Sequence, residues 1–180
     1  MNGYETHSRA VIFAEDPDAA YEETMPIAST VLDGAGAEMF GQAFADVRAI
    51  FEGRYSGYRA ANTRYHDFAH TASVVLAAAR LFHGCKVNGT TFSPKVVLLT
   101  LMAAFFHDIG LLQSESDRTG TGAKHTVGHE ERSVRFFSDY MADKGFSEKE
   151  IETGGHFIRC TVLDSVPAQM PFPDEETRIC

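Results

Sequence analysis

The sequence predicts an all-α fold, a single helical bundle. Three observations lead there. The 180 residues are 44% hydrophobic and 23% charged, with fifteen Gly and six Pro, the composition of one ordinary domain long enough to bury a core. Apolar residues recur at spacings of three and four in successive segments, which marks faces of amphipathic helices. No strand-like alternation of useful length and no internal repeat accompanies them.

The elements follow in order. Residues 1 to about 36 form an acidic N-terminal arm or peripheral helix, with Asp16-Pro17 as a helix start and Asp33-Gly34-Ala35-Gly36 as a break. From Glu38, the face Met39, Phe40, Ala43, Phe44, Val47, Ile50 and Phe51 defines a helix that Gly53 ends. The next runs from about Tyr65 to Phe82, with His70, Val74, Ala78 and Leu81 on its inward stripe. The clearest start signal is Ser93 as N-cap with Pro94 at the first helical position, opening a buried helix that reaches His107-Asp108 and stops at Gly110. Gln113 to Gly128 is polar and Gly-rich, long enough to serve as a lid. A helix over about His129 to Lys144 points Val134, Phe137 and Met141 inward, with Gly145 as its stop. Ser147-x-x-Glu150 is a capping box that opens a helix carrying Ile151, Ile158 and Val162. Pro167, Pro171 and Pro173 mark a loop, and Asp174-Glu175-Glu176 begins a last helix.

Charge and cysteine usage narrow the function classes. Sixteen Lys+Arg against twenty-five Asp+Glu give a net charge of −9, so nucleic acid is not an expected partner. Three cysteines without paired spacing fit a reducing compartment, and the N-terminus lacks a signal-peptide pattern, so a cytoplasmic location is expected. The most apolar run, Val96 to Phe106, falls short of the roughly 20 residues that span a bilayer, so no membrane association is expected. Oligomeric state is open, a homodimer included.

Six of the eight histidines lie between His66 and His129. His66 and His70, four apart on one helix, rise about 6 Å along one face and serve equally as a packing pair or as ligands of one centre. His107-Asp108 ends the most buried helix. It reads either as an ordinary helix C-terminus, where the dipole favours imidazolium, or as a site where a cation meets a carboxylate that is costly beside such a core. Imidazole and carboxylate suit Zn, Mn, Fe or Mg rather than a soft thiolate metal. His129-Glu130 at a helix start reads first as a capping feature, His7 and His83 as surface residues, and His156 is undecided. Arg118, Lys124 and His125 are within reach of an anionic substrate if the long loop does not simply solvate them.

These residues resemble a known family. Tyr65-His66-Asp67-Phe68-Ala69-His70-Thr71-Ala72-Ser73-Val74 resembles the YHNxxHAxxV motif of cyclic nucleotide phosphodiesterases, and Ala103-Ala104-Phe105-Phe106-His107-Asp108-Ile109-Gly110 resembles the signature of HD-domain phosphohydrolases. His129-Glu130-Glu131-Arg132-Ser133 is similar to the family's HExxS element, and Ile158-Arg159-Cys160-Thr161 to its I-x-x-T stretch. The resemblance covers roughly residues 39 to 165. It implies an HD-domain, phosphodiesterase-like helical bundle over residues 37–180.

The same resemblance implies metal-assisted hydrolysis of a phosphate ester or diester, with a small phosphorylated substrate, a nucleotide by preference. His70, His107 and Asp108 match metal-ligand positions for one or two divalent ions. His66 matches the histidine that protonates the leaving oxygen, and His129 one near the second metal or the substrate phosphate. Three positions depart from the pattern. The family's late Asp ligand has only Asp164 as a counterpart before Cys180, so either Asp164 substitutes for it or the domain is incomplete at its C-terminus. Leu111 stands where phosphodiesterases often carry a further His, and no counterpart of the glutamine that holds the purine base is present. The alternative from another class is a non-catalytic HD-like module that binds a ligand or partner.

Overall fold

A computed structural model describes residues 16–163 and 165–179 of the chain. His7, Asp164 and Cys180 lie outside the described residues. The fold is all-α: α1 (Pro17–Ser29), α2 (Gly34–Phe51), α3 (Phe68–Val87), α4 (Pro94–Phe106), α5 (His129–Asp143), α6 (Glu148–Arg159) and α7 (Glu175–Ile179), with short 3-10 turns at Ile109–Leu111, Gly122–His125 and Pro167–Gln169. Among the described residues there is no strand, only an isolated antiparallel bridge between Tyr58 and Ser114.

Caps account for most helix starts. Asp16 accepts a hydrogen bond from the Asp18 amide, Asp33 from Gly36 at 2.7 Å, Asp67 from His70 at 2.9 Å, and Ser93 from Val96. Two starts therefore differ from the expected ones. The Asp33-Gly34-Ala35-Gly36 segment is the cap and first turn of α2 rather than a break before it, so position 36 falls within that helix. The third helix begins after Asp67, so Tyr65 and His66 belong to the turn that precedes it. At Ser147 the capping box forms in both directions, and Lys95 reaches Glu150 at 2.6 Å. That lysine and the Ser147 amide push the Glu150 carboxyl down to about 2.

The core forms around α4, which packs on α2, α3, α5 and α6. Leu101, Met102, Phe105 and Phe106 are fully buried there, Phe105 against Phe40 and Phe106 among Phe136, Phe137 and Tyr140. Each such side chain contributes about 1.5–3 kcal/mol of transfer free energy. The stretch Pro94–Leu111 is long and apolar enough to cross a membrane by composition, yet 78% of it is buried inside the bundle. It is the core helix.

The inward face of α3 is Phe68, Ala72, Val75, Leu76, Ala79 and Phe82, displaced by about one residue from the expected stripe. Leu81 is 71% exposed. The helix packs on α1 on one side and α4 on the other, so its apolar stripe is wide and a single line of four-residue spacings misplaces it. Similarly, α6 ends at Arg159, and Val162 lies past it, partly exposed. Within α6, Gly154 permits close approach to α5, because a Cβ there would stand 2.3 Å from Phe137 Cζ. At the far end, the Glu176 carboxylate of α7 accepts from the Ser93 amide and so reaches the start of α4.

Candidate metal centre

Four imidazoles converge on Asp108. His107 caps the C-terminus of α4, and Asp108 follows at φ −105°, ψ 0°, the sparsely allowed bridge region that turns the chain into the 3-10 segment. This turn aims the carboxylate away from the apolar helix that delivers it. His66 reaches it from the turn before α3, His70 from the first turn of α3, and His129 from the first position of α5.

The distances are short. His66 Nδ1 donates to Asp108 Oδ2 at 2.7 Å, while His107 Nε2 and His70 Nε2 lie 3.2 and 3.5 Å from the same oxygen. His129 Nε2 lies 3.3 Å from Oδ1. Asp108 is 2% exposed, and the rings of His107, His70 and His129 are 8%, 13% and 13% exposed. His66, at 37%, stands on the open side. His66, His70 and Asp108 present ligand atoms within 4.8 Å of one another, a group that could hold a metal ion. The His66–His70 pair converges through the capped turn at Asp67, not through a shared helical face as the spacing suggested.

The hydrogen bonds on the outer ring nitrogens decide what this cluster can accept. A carbonyl only accepts, so the Ala104 carbonyl at 2.7 Å fixes a proton on His107 Nδ1, and the Thr126 carbonyl at 2.8 Å fixes one on His129 Nδ1. Each neutral ring therefore directs its Nε2 lone pair at an anionic oxygen. Two lone pairs facing a buried carboxylate repel it unless a cation stands between. A proton can supply that charge: Asp108 holds His129 above the ordinary imidazole range. A divalent ion supplies it with donors already aimed, in the arrangement of outer hydrogen bonds usual for histidine ligands.

Protons and an ion are alternative ways to meet this charge. With protons in place, burial pushes the Asp108 carboxyl up, but hydrogen bonds donated by His107, His129 and His66 outweigh this and hold it well below the usual carboxylate range. Burial lowers the affinity of His70 for a proton, and its Nδ1 is buried without a hydrogen-bond partner.

A latch behind the centre sets the distance from Asp108 to α5. The Gly110 amide donates to Ser133 Oγ at 2.9 Å, and that hydroxyl donates to the His107 carbonyl at 2.6 Å. Arg132 donates to the carbonyls of Gly110 and Leu112 at 2.6 and 2.9 Å. Gly110 is thus not a helix terminator. It lets α5 approach, since a Cβ there would lie 1.9 Å from the His129 carbonyl oxygen. Gly110→Ala is expected to force α5 outward and to destabilise the fold by about 3 kcal/mol or more, read by urea unfolding followed by circular dichroism. A wild-type midpoint would show that the approach is not needed.

Sequence reasoning did not find Gly110, Arg132 and Ser133 as positioning residues. The readable signal was Ser133, a hydroxyl on the inward face of α5 beside Val134 and Phe137.

The long loop is a wall rather than a free lid. Asn62 joins Gln113 at 2.8 Å and accepts from the Gly122 amide, Arg59 donates to the Asp117 carbonyl, and buried Gln113 donates to the Thr119 carbonyl. Lys124 is turned onto Asp117 and Thr119, and His125 lies 3.4 Å from Asp117, so neither is directed at the cluster. Arg118 is exposed. His83 is exposed as expected, and His156 is a buried ring on α6 packed edge-on against Phe172. Leu111 is buried in the turn after Asp108.

No protein-family model matches the chain, and no curated protein or solved structure matches it significantly.

Proposed function

We propose that the chain is a metal-dependent phosphohydrolase of the HD-domain, phosphodiesterase-like type, acting in the cytoplasm on a phosphate ester or diester of a nucleotide. The observation that carries the reading is Asp108, buried among four imidazoles of which two have their only neutral-state proton committed to a backbone carbonyl. The order of the four motif elements along the chain supports the choice of chemistry.

In this reading His70, His107 and Asp108 hold one or two divalent ions of Mn, Fe, Zn or Mg. A bound ion supplies an activated water and offsets charge on the phosphoryl oxygens. His66 is the general acid. Its Nδ1 is tied to Asp108, which fixes the ring and leaves Nε2 for the cleft that His66 lines. His129, anchored by Thr126, stands on the other carboxylate oxygen, the position that the resemblance puts near the second metal or the substrate phosphate.

The test is metal per chain by elemental analysis on protein purified without chelator, followed by hydrolysis of p-nitrophenyl phosphate and bis-p-nitrophenyl phosphate before and after chelation. One or two equivalents of metal with chelator-sensitive hydrolysis is the expected result. No retained metal after reconstitution would overturn the reading. The alternative, a non-catalytic HD-like module that binds a ligand or partner, predicts neither retained metal nor turnover.

A further inference from the structure

Beside His66 lies an open cleft of about 450 Å³, formed by the 62–66 turn on one side and by Thr121, Ala123 and Thr126 of the anchored loop on the other. Its size matches a nucleotide-sized ligand. Two side chains in it have no structural duty that explains them. Arg64 is exposed, and no hydrogen bond or ion pair to a described residue occupies its guanidinium, in a protein of net charge −9 where five of the nine other described arginines are paired with carboxylates. Tyr65 packs its ring 4.6 Å from His70 yet is 56% exposed, a large aromatic left at the mouth of the centre.

The two immediately precede His66 in the sequence and share its cleft. An unpaired guanidinium is a fork for phosphate, and an exposed ring is a platform for a flat heterocycle. The threonine hydroxyls suit a sugar: those of Thr63 and Thr126 donate to the carbonyls of His66 and Ala123, so their oxygens remain acceptors.

We infer that this cleft takes the leaving part of the substrate and that the leaving part is itself a nucleotide, with its phosphate on Arg64 and its base on Tyr65. The inference rests on the phosphohydrolase reading above. The reaction is hydrolysis: a water oxygen bonds to the scissile phosphorus, the bond from phosphorus to the nucleotide oxygen breaks, and the proton on His66 passes to that oxygen. No redox partner is involved. The substrate class is a nucleoside diphosphate, cleaved at its phosphoanhydride bond, or another phosphoanhydride that releases a nucleoside monophosphate, rather than a simple phosphomonoester.

Adenosine diphosphate and p-nitrophenyl phosphate separate the two, because both release a group with a flat ring and only the first carries a phosphate on that leaving group. Arg64→Gln, at an exposed position without a structural partner, is expected to lower the ratio of kcat/KM for adenosine diphosphate over p-nitrophenyl phosphate by about 10- to 100-fold, the effect of deleting one charge-assisted contact. Adenosine monophosphate titrated calorimetrically into the full chain should bind, with a dissociation constant weakened by a similar factor in Arg64→Gln and by less in Arg64→Lys. An unchanged ratio with unchanged monophosphate affinity would overturn the subsite while leaving the phosphohydrolase reading intact. Monophosphate binding that depends on Arg64, without hydrolysis of either compound by the metal-loaded chain, would keep the nucleotide site and overturn the phosphohydrolase reading instead.

Discussion

Asp108→Ala is expected to reduce metal content, by elemental analysis, from one or more equivalents to below about a tenth of one, and to abolish turnover with it. Among the described residues, Asp108 is the carboxylate that all four imidazoles reach: its two oxygens touch His66, His70 and His107 on one side and His129 on the other, while Glu130 approaches His129 alone. Without it, four neutral rings face one another with no charge to offset that of an ion. Folding should suffer less than binding. A buried ion pair broken on one side costs about 3–5 kcal/mol when the remaining charge cannot leave, but an imidazolium sheds its proton near neutral pH. Asp108→Asn is the sharper form of the test, since it keeps the shape and removes the charge. A wild-type circular dichroism spectrum with no metal in either variant is the expected result, and retained metal in both would place the centre elsewhere.

His66→Ala should behave differently. The ring is the most exposed of the four and is held by one hydrogen bond, from Nδ1 to Asp108. Removing it opens the cleft side of the centre and leaves the buried donors in place. Metal content should persist while kcat falls by about 10²–10⁴, the range for loss of a general acid. Esters of good leaving groups, such as p-nitrophenyl phosphate, should lose least, because nitrophenolate needs little help from a proton. Equal loss of metal in His66→Ala and Asp108→Ala would make His66 a ligand, as its distance to Asp108 and His70 also permits.

Much of the architecture is readable where local chemistry decides it. Ser93-Pro94 opens α4 where expected, Ser147-x-x-Glu150 closes its capping box, and the most apolar segment is the core helix. The candidate ligands were legible for the same reason: a histidine and an aspartate at the end of such a helix have no apolar role there. What was not legible depends on contacts between distant segments. Gly110 has the local look of a helix stop, and only the packing of α5 shows it as a point of approach. The 113–128 loop reads as mobile because the Asn62 and Arg59 side chains that hold it come from about 50 to 60 residues earlier. Asp67 was a readable cap immediately before Phe68, and passing over it placed His66 on a helix it only precedes.

The latch has one further consequence. The hydrogen bonds by which Arg132 and Ser133 of α5 hold the turn after α4 all end on main-chain groups of that turn: the Gly110 amide and the carbonyls of His107, Gly110 and Leu112. These groups exist whatever side chains the turn carries, so the register between Asp108 and His129 is held by the course of the backbone and is indifferent to the identity of the ligands themselves. The centre can therefore exchange one donor residue for another, and with it the ion it prefers, without having to rebuild the scaffold that brings its two halves together.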